Sequence, residues 1–158
     1  MGNSFTNVYV HLIFHTKSQG CMMREEDLSR VFRYIGGVIR NMSGRAIIVG
    51  GRPDHIHALT TLPVSISLAD FVRDIKSNTT KWMKTLDCHY KNFAWQEGYG
   101  AFSVSESNKE TVVQYIGNQK EHHQMHTAQV EFCNFLKKHG YSVEDIRWWG
   151  RREENEQA

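Results

Sequence analysis

The sequence predicts a single α/β domain, and three observations carry that prediction. Apolar and polar residues alternate at the start of the chain and again around residue 55, which is the period of a strand. Two longer stretches, centred near residues 33 and 76, carry apolar residues at helical spacing. Read in order, the segments run β-α-β-β-α-β-α-α, an alternation that builds a sheet with helices packed on it.

The first strand is Val8, Val10, Leu12 and Phe14 alternating with Tyr9, His11, Ile13 and His15, with the first set toward the core. His11 and His15 share the second face and read as satisfied polar residues on a partly covered sheet, not as ligands. A helix is expected from about Arg24 to Met42, where Leu28, Val31, Phe32, Ile35, Val38, Ile39 and Met42 recur at helical spacing. Ala46 to Val49 is a short buried strand, and Arg52-Pro53 turns the chain into a further strand, Asp54 to Leu59. A second helix is expected from about Ser67, a plausible N-cap, to Leu86. Phe93 to Val104 is strand-like but broken at its glycines. Ser107-x-x-Glu110 has the form of a capping box, so a third helix is expected to run through Lys120 or beyond.

Composition sets bounds on function. At 158 residues the chain is long enough for one real core, expected over 1–158 with its packed part at about 5–141 and a tail at about 142–158. Hydrophobic content of 40% with 23% charged residues is that of an ordinary globular protein. A formal net charge of +2 does not announce nucleic acid, so any basic footprint is local. Cys21, Cys88 and Cys133 are odd in number and lack metal spacing, which suits reduced thiols in the cytoplasm. No apolar run approaches membrane-spanning length, and a signal peptide's charged-then-apolar order is missing at the start.

The stretch that organises the chain is Asp54-His55-Ile56-His57-Ala58-Leu59. On a strand His55 and His57 point the same way and Ile56 points into the core. Two neutral imidazoles side by side are half of a metal site. A histidine-triad hydrolase would need a third histidine where Leu59 stands. A cupin would need a glutamate where Thr60, Thr61 and Leu62 stand, and a two-histidine phosphoesterase a second such repeat. A partner is therefore sought elsewhere. On the third helix Tyr115 and Gln119 are four residues apart and share a face. Gln119 offers a neutral oxygen ligand, and Tyr115 a phenol placed to attack whatever the metal polarises. Lys120 to His126 adds His122, His123 and His126.

Together these motifs resemble the HUH single-tyrosine transposases, the IS200-like enzymes of bacterial insertion sequences. The resemblance is carried by Pro53-Asp54-His55-Ile56-His57, by Trp95 to Val104, by Tyr115-Ile116-Gly117-Asn118-Gln119-Lys120-Glu121-His122-His123, and by Phe132 to Gly140 as the closing helix. It covers nearly the whole chain, with no departure at a catalytic position. The tail from Arg147 is less typical.

What the resemblance implies can be stated residue by residue. The fold is an antiparallel sheet of four to five strands with helices packed on it, in the HUH, ferredoxin-like topology. His55, His57 and Gln119 hold a divalent metal, and Tyr115 attacks the scissile phosphate of single-stranded DNA to give a 5′-phosphotyrosine. No nucleotide cofactor is needed, because the covalent intermediate keeps the bond energy. Two imidazoles alone favour zinc or another transition metal, while the resemblance implies Mg2+ or Mn2+, in keeping with an oxygen-rich shell. Family members recognise hairpins at element ends, which suits the local cations Arg73, Lys76, Lys81 and Lys84. Trp95 reads as core and Tyr99 as a base-stacking candidate. A homodimer is implied, in which the helix bearing Tyr115 completes the partner's site, in the cytoplasm and at the nucleoid when on DNA. Two rival readings are a domesticated, non-mobile hairpin-binding protein and a metal-dependent hydrolase with water as nucleophile.

Overall fold

A computed structural model describes residues 2–17, 20–122 and 128–142. The chain runs β1 (Tyr9–His15), α1 (Leu28–Asn41), β2 (Ala46–Arg52), β3 (His55–Thr61), α2 (Leu68–Leu86), β4 (Gly100–Val104), α3 (Lys109–Gly117), a single turn α4 (Gln119–His122) and α5 (Ala128–Lys138). Among the described residues the sheet has four strands in the order β2-β3-β1-β4, each pair antiparallel. This βαββαβ order, with β1 and β3 central, is the ferredoxin-like arrangement expected. The described residues fall into two compact units, divided after Lys120.

Strand alternation divides the first unit into two layers. One sheet face presents Val10, Leu12 and Phe14 of β1 with Ile56 and Ala58 of β3. These pack against Leu28, Val31, Ile35 and Ile39 of α1 and Phe71, Val72 and Ile75 of α2. Side chains withdrawn this fully contribute about 1.5–3 kcal/mol each, so this layer supplies most of the drive to fold. Tyr34 of α1 stacks flat on Trp82 of α2, with centroids 4.2 Å apart, and ties the two helices together. The opposite face carries Tyr9, His11, Ile13 and His15 of β1 with His55, His57 and Leu59 of β3. There α3 covers Tyr9 and Leu59 with Ile116, flanked by Val112, Val113 and Tyr115.

Local expectations fare unevenly. Ser67 caps α2, its hydroxyl accepting from the Asp70 amide at 3.1 Å. The capping box at Ser107 does not form. A short 3-10 turn, Glu106–Asn108, precedes α3, and the Ser107 hydroxyl bonds Ser105 at 3.2 Å instead. The third helix does not run unbroken through Lys120: it stops at Gly117 and resumes at Gln119, with Asn118 between as cap. Only Gly100–Val104 of the segment from Phe93 is strand. Trp95 upstream makes a lone bridge with Thr16, and its ring meets Phe14 and Phe93 edge-on, each at 4.8 Å.

The second unit's α5 ends in a Schellman turn: Gly140, at φ 88°, donates to the Lys137 carbonyl at 3.1 Å and Tyr141 to that of Leu136 at 3.0 Å. His123, His126 and the tail from Arg147 lie outside the described residues. Among the described residues, no helix is long and apolar enough to cross a membrane.

Candidate functional site

Pairing between the two central strands places the histidines. His55 lies opposite His15 and His57 opposite Ile13, so His11 is the diagonal neighbour of His57 on the same face. His55 and His57 are each 1% exposed, their rings 5.0 Å apart and nearly perpendicular. The turn from β2 into β3 leaves Asp54 beside His55, and its carboxylate lies 2.7 Å from His55 Nδ1. A carboxylate only accepts, so Nδ1 carries the proton and Nε2 is the nitrogen turned toward Gln119.

Tyr115 and Gln119 reach this pair because α3 sits close on the sheet. An added Cβ at Gly50, the β2 residue opposite His57, would lie 2.9 Å from both Cγ2 and the carbonyl oxygen of Ile116. A side chain there would lift the end of α3 off the sheet, so the glycine sets how near Tyr115 stands to the histidines. The Tyr115 ring stands edge-on to His57, centroids 5.7 Å apart, and to His11 at 6.3 Å. The break at Asn118 does not separate Tyr115 from Gln119. The Gln119 amide nitrogen lies 3.5 Å from the Tyr115 carbonyl, and its Oε1 lies 3.0 Å from His55 Nε2. Gln119 is 2% exposed, and Tyr115 is half-buried.

The donor set fits a divalent ion. A ring nitrogen and an amide oxygen at 3.0 Å share either a proton or a cation, and both atoms are ones such a metal accepts. Neighbouring ligands of an octahedral ion at about 2.1 Å stand about 3 Å apart, which this spacing matches. Ring nitrogens of His55 and His57 that could hold an ion lie within 4.8 Å of one another. Within one chain the structure thus brings His55, His57, Tyr115 and Gln119 together.

The four α2 cations stand elsewhere, since α2 packs on the opposite face of the sheet. Arg73 pairs with Asp70 at 2.8 Å and Asp74 at 3.1 Å. Lys76 donates to the carbonyls of Gln96 and Gly98, both at 2.8 Å, and burial pushes its ammonium below the ordinary lysine pKa, against the opposing pull of Glu97. Trp95 donates its indole N–H to the Lys76 carbonyl at 3.1 Å, so this segment is tied to α2 by three hydrogen bonds. Lys81 and Lys84 are exposed. Tyr99, just beyond the tied segment, is 39% exposed.

Two site residues escape a reading of the sequence. Asp54 stands in the motif without a role that residue type alone assigns, although an acid directly before such a histidine is a signal. His11 reads from the sequence as a satisfied polar residue, yet its Nε2 lies 2.8 Å from His57 Nδ1. Only the pairing of β1 with β3 reveals this contact.

Comparison with known proteins bears on the arrangement. The model of the IS200-like transposase family matches residues 4–119. No curated protein matches. A crystal structure described as a putative transposase from Deinococcus radiodurans R1 is 22% identical, with a TM-score of 0.57 over 75% of this chain and 96% of that one. A REP-associated tyrosine transposase bound to a REP hairpin is 18% identical, with a TM-score of 0.54 over 78% of this chain and 74% of that one. At these identities both likenesses show a shared fold.

Proposed function

Because the chain belongs to the IS200-like transposase family, we propose that it cleaves and rejoins single-stranded DNA at insertion-sequence ends, through a covalent link on Tyr115. The observation that carries the proposal is the meeting of the Tyr115 ring with His57 while Gln119, one turn on, faces His55. A phenol beside two imidazoles that could hold a metal is an arrangement suited to phosphodiester transesterification.

Each residue then has a task. His55, His57 and Gln119 would hold the metal, taken as Mg2+ or Mn2+. That ion, when bound, would offset the negative charge developing on the phosphate oxygens. Asp54 keeps the His55 proton on Nδ1 and leaves Nε2 for coordination. The Tyr115 phenol gives up its proton to solvent, and its oxygen attacks phosphorus. The bond to the 3′-oxygen breaks, and that oxygen takes a proton and leaves as a free hydroxyl. The products are a 5′-phosphotyrosine and a 3′-OH, and rejoining runs the same step backwards. Phenolate leaves more readily than alkoxide, so the return step needs no nucleotide.

The substrate is proposed to be hairpin-bearing single strands, a reading supported by the fold neighbour bound to a REP hairpin. Arg73, Lys81 and Lys84 are offered as phosphate contacts, with Lys76 bracing the neighbouring segment. The protein is placed in the cytoplasm, at the nucleoid when on DNA, and the catalytic domain over residues 1–158. The resemblance implies a homodimer with sites exchanged between protomers. One chain, however, already assembles all four residues, which supports a site built within each protomer whatever the oligomeric state.

The test is incubation with hairpin-bearing single strands and Mn2+, followed by denaturing electrophoresis. A DNA-linked band from wild type and none from Tyr115→Phe is expected, with hairpin affinity within a few-fold. A domesticated binder would show affinity without the band. A water-activating hydrolase would cleave and keep turning over with phenylalanine at 115.

A further inference from the structure

We propose that His11 is a positioning residue for the metal-binding pair: it fixes the tautomer of His57 so that Nε2 of that ring carries the lone pair. The inference rests on the metal-dependent reading of the same site. His11 and His57 come from strands that pair across the centre of the sheet, one register step out of line, so their side chains meet on the diagonal. Their facing nitrogens, His11 Nε2 and His57 Nδ1, are 2.8 Å apart, and both residues are 1% exposed.

Two neutral imidazoles at that distance share one proton along the line between them. If His11 donates it, His57 keeps its own proton on Nε2, and that nitrogen is closed to a metal. If His57 donates from Nδ1, its Nε2 is open. Coordination by His57 Nε2 and the hydrogen bond to His11 are therefore compatible in one tautomer only, with His11 protonated at Nδ1 and accepting at Nε2. His11 does for His57 what Asp54 does for His55, with a neutral acceptor in place of a charged one. Each member of the pair then presents Nε2 and turns Nδ1 to its acceptor, Asp54 or His11.

The experiment uses the full chain, free of metal, with 15N-labelled histidine, at about pH 8, above the ordinary imidazole range. Imidazole nitrogen shifts are expected to show His57 protonated at Nδ1 and bare at Nε2, with His11 also protonated at Nδ1. Binding of Mn2+ alone, read by its electron paramagnetic resonance, gives the second readout. His11→Leu should weaken it by about 10–100-fold, whereas His11→Gln, which keeps an acceptor, should stay within about threefold of wild type. A merely structural role would lower the melting temperature in both variants and leave tautomer and affinity alone. A wild-type His57 protonated at Nε2, or Mn2+ binding by His11→Leu equal to wild type, overturns the proposal. Should His11→Leu fail to fold, the wild-type shifts and His11→Gln still decide it. Wild type that binds no Mn2+ while His57 keeps its proton at Nδ1 contradicts the metal reading and still supports the His11 assignment.

Discussion

Nε2 of His55 and Oε1 of Gln119 meet at 3.0 Å, although 64 residues separate them in the chain. The contact joins a central strand to the turn that follows α3, and Tyr115 lies one helical turn before it. It is the point at which the sheet and the helix become one site.

The first prediction follows from that contact. His57→Ala or Gln119→Ala should remove DNA cleavage, and chelation of wild type should remove it reversibly, with Mn2+ restoring it. Asp54→Asn, which removes the carboxylate that accepts from His55 Nδ1, should weaken metal binding by about 10–100-fold and leave the protein folded. Cleavage undiminished in excess chelator contradicts the metal assignment.

A second prediction concerns how many chains build one site. Tyr115→Phe and His57→Ala proteins, each inactive, are mixed under conditions that exchange subunits. If each chain builds its own site, as the Tyr115–His57 ring contact within one chain supports, every site in every assembly keeps one lesion, and the mixture should stay inactive. Recovered activity would mean that α3 serves the partner's strand, as the family resemblance implied.

The third concerns α2. Neutralising Arg73, Lys81 or Lys84 should lower the salt slope of hairpin binding by roughly one unit apiece if each meets a phosphate. Lys76 should behave differently. Its ammonium is held by the carbonyls of Gln96 and Gly98, so Lys76→Met should cost about 1–3 kcal/mol in a urea titration. Unchanged slopes at Arg73, Lys81 and Lys84 alike would place the DNA on another surface.

These cases show how much was legible in the sequence. Alternation alone puts His55 and His57 on one face, and the four-residue spacing aligns Tyr115 with Gln119, because both are local periodicities. His11 was not legible, since its role depends on which strand β1 pairs with and in what register, across a helix and a hairpin. Lys76 looked like its neighbours for the same reason: helical spacing shows which way a lysine points, not what loop lies within its reach. At Ser107 a genuine capping motif lost to a 3-10 turn that pairs its hydroxyl with Ser105. The Phe93 to Val104 run reads as one strand by residue type, but Trp95 is drawn to Phe14 and Phe93, and only the part after Gly98 pairs along β1.

The fourth prediction concerns acid stability. Asp27 is buried, accepts from the Tyr90 hydroxyl at 2.6 Å and from Arg24 at 3.1 Å, and these bonds hold its carboxyl below the ordinary value. A depressed folded-state pKa contributes stability that is present above the unfolded value, about 3.9, and is lost as pH falls through the folded one. Wild type should therefore lose stability below about pH 4. Asp27→Asn should be less stable at neutral pH and show a flatter profile in that acid range. Parallel profiles for the two proteins would assign the acid loss to other carboxylates.

The central claim is that Tyr115 is the atom donor in a covalent exchange with DNA. It is tested most directly by trapping the adduct on a hairpin-bearing single strand with Mn2+, digesting it with protease and nuclease, and locating the attached nucleotide by mass spectrometry. The account predicts a 5′-phosphoryl nucleotide on Tyr115. Attachment at any other residue, or cleavage that leaves no attached nucleotide, would contradict it.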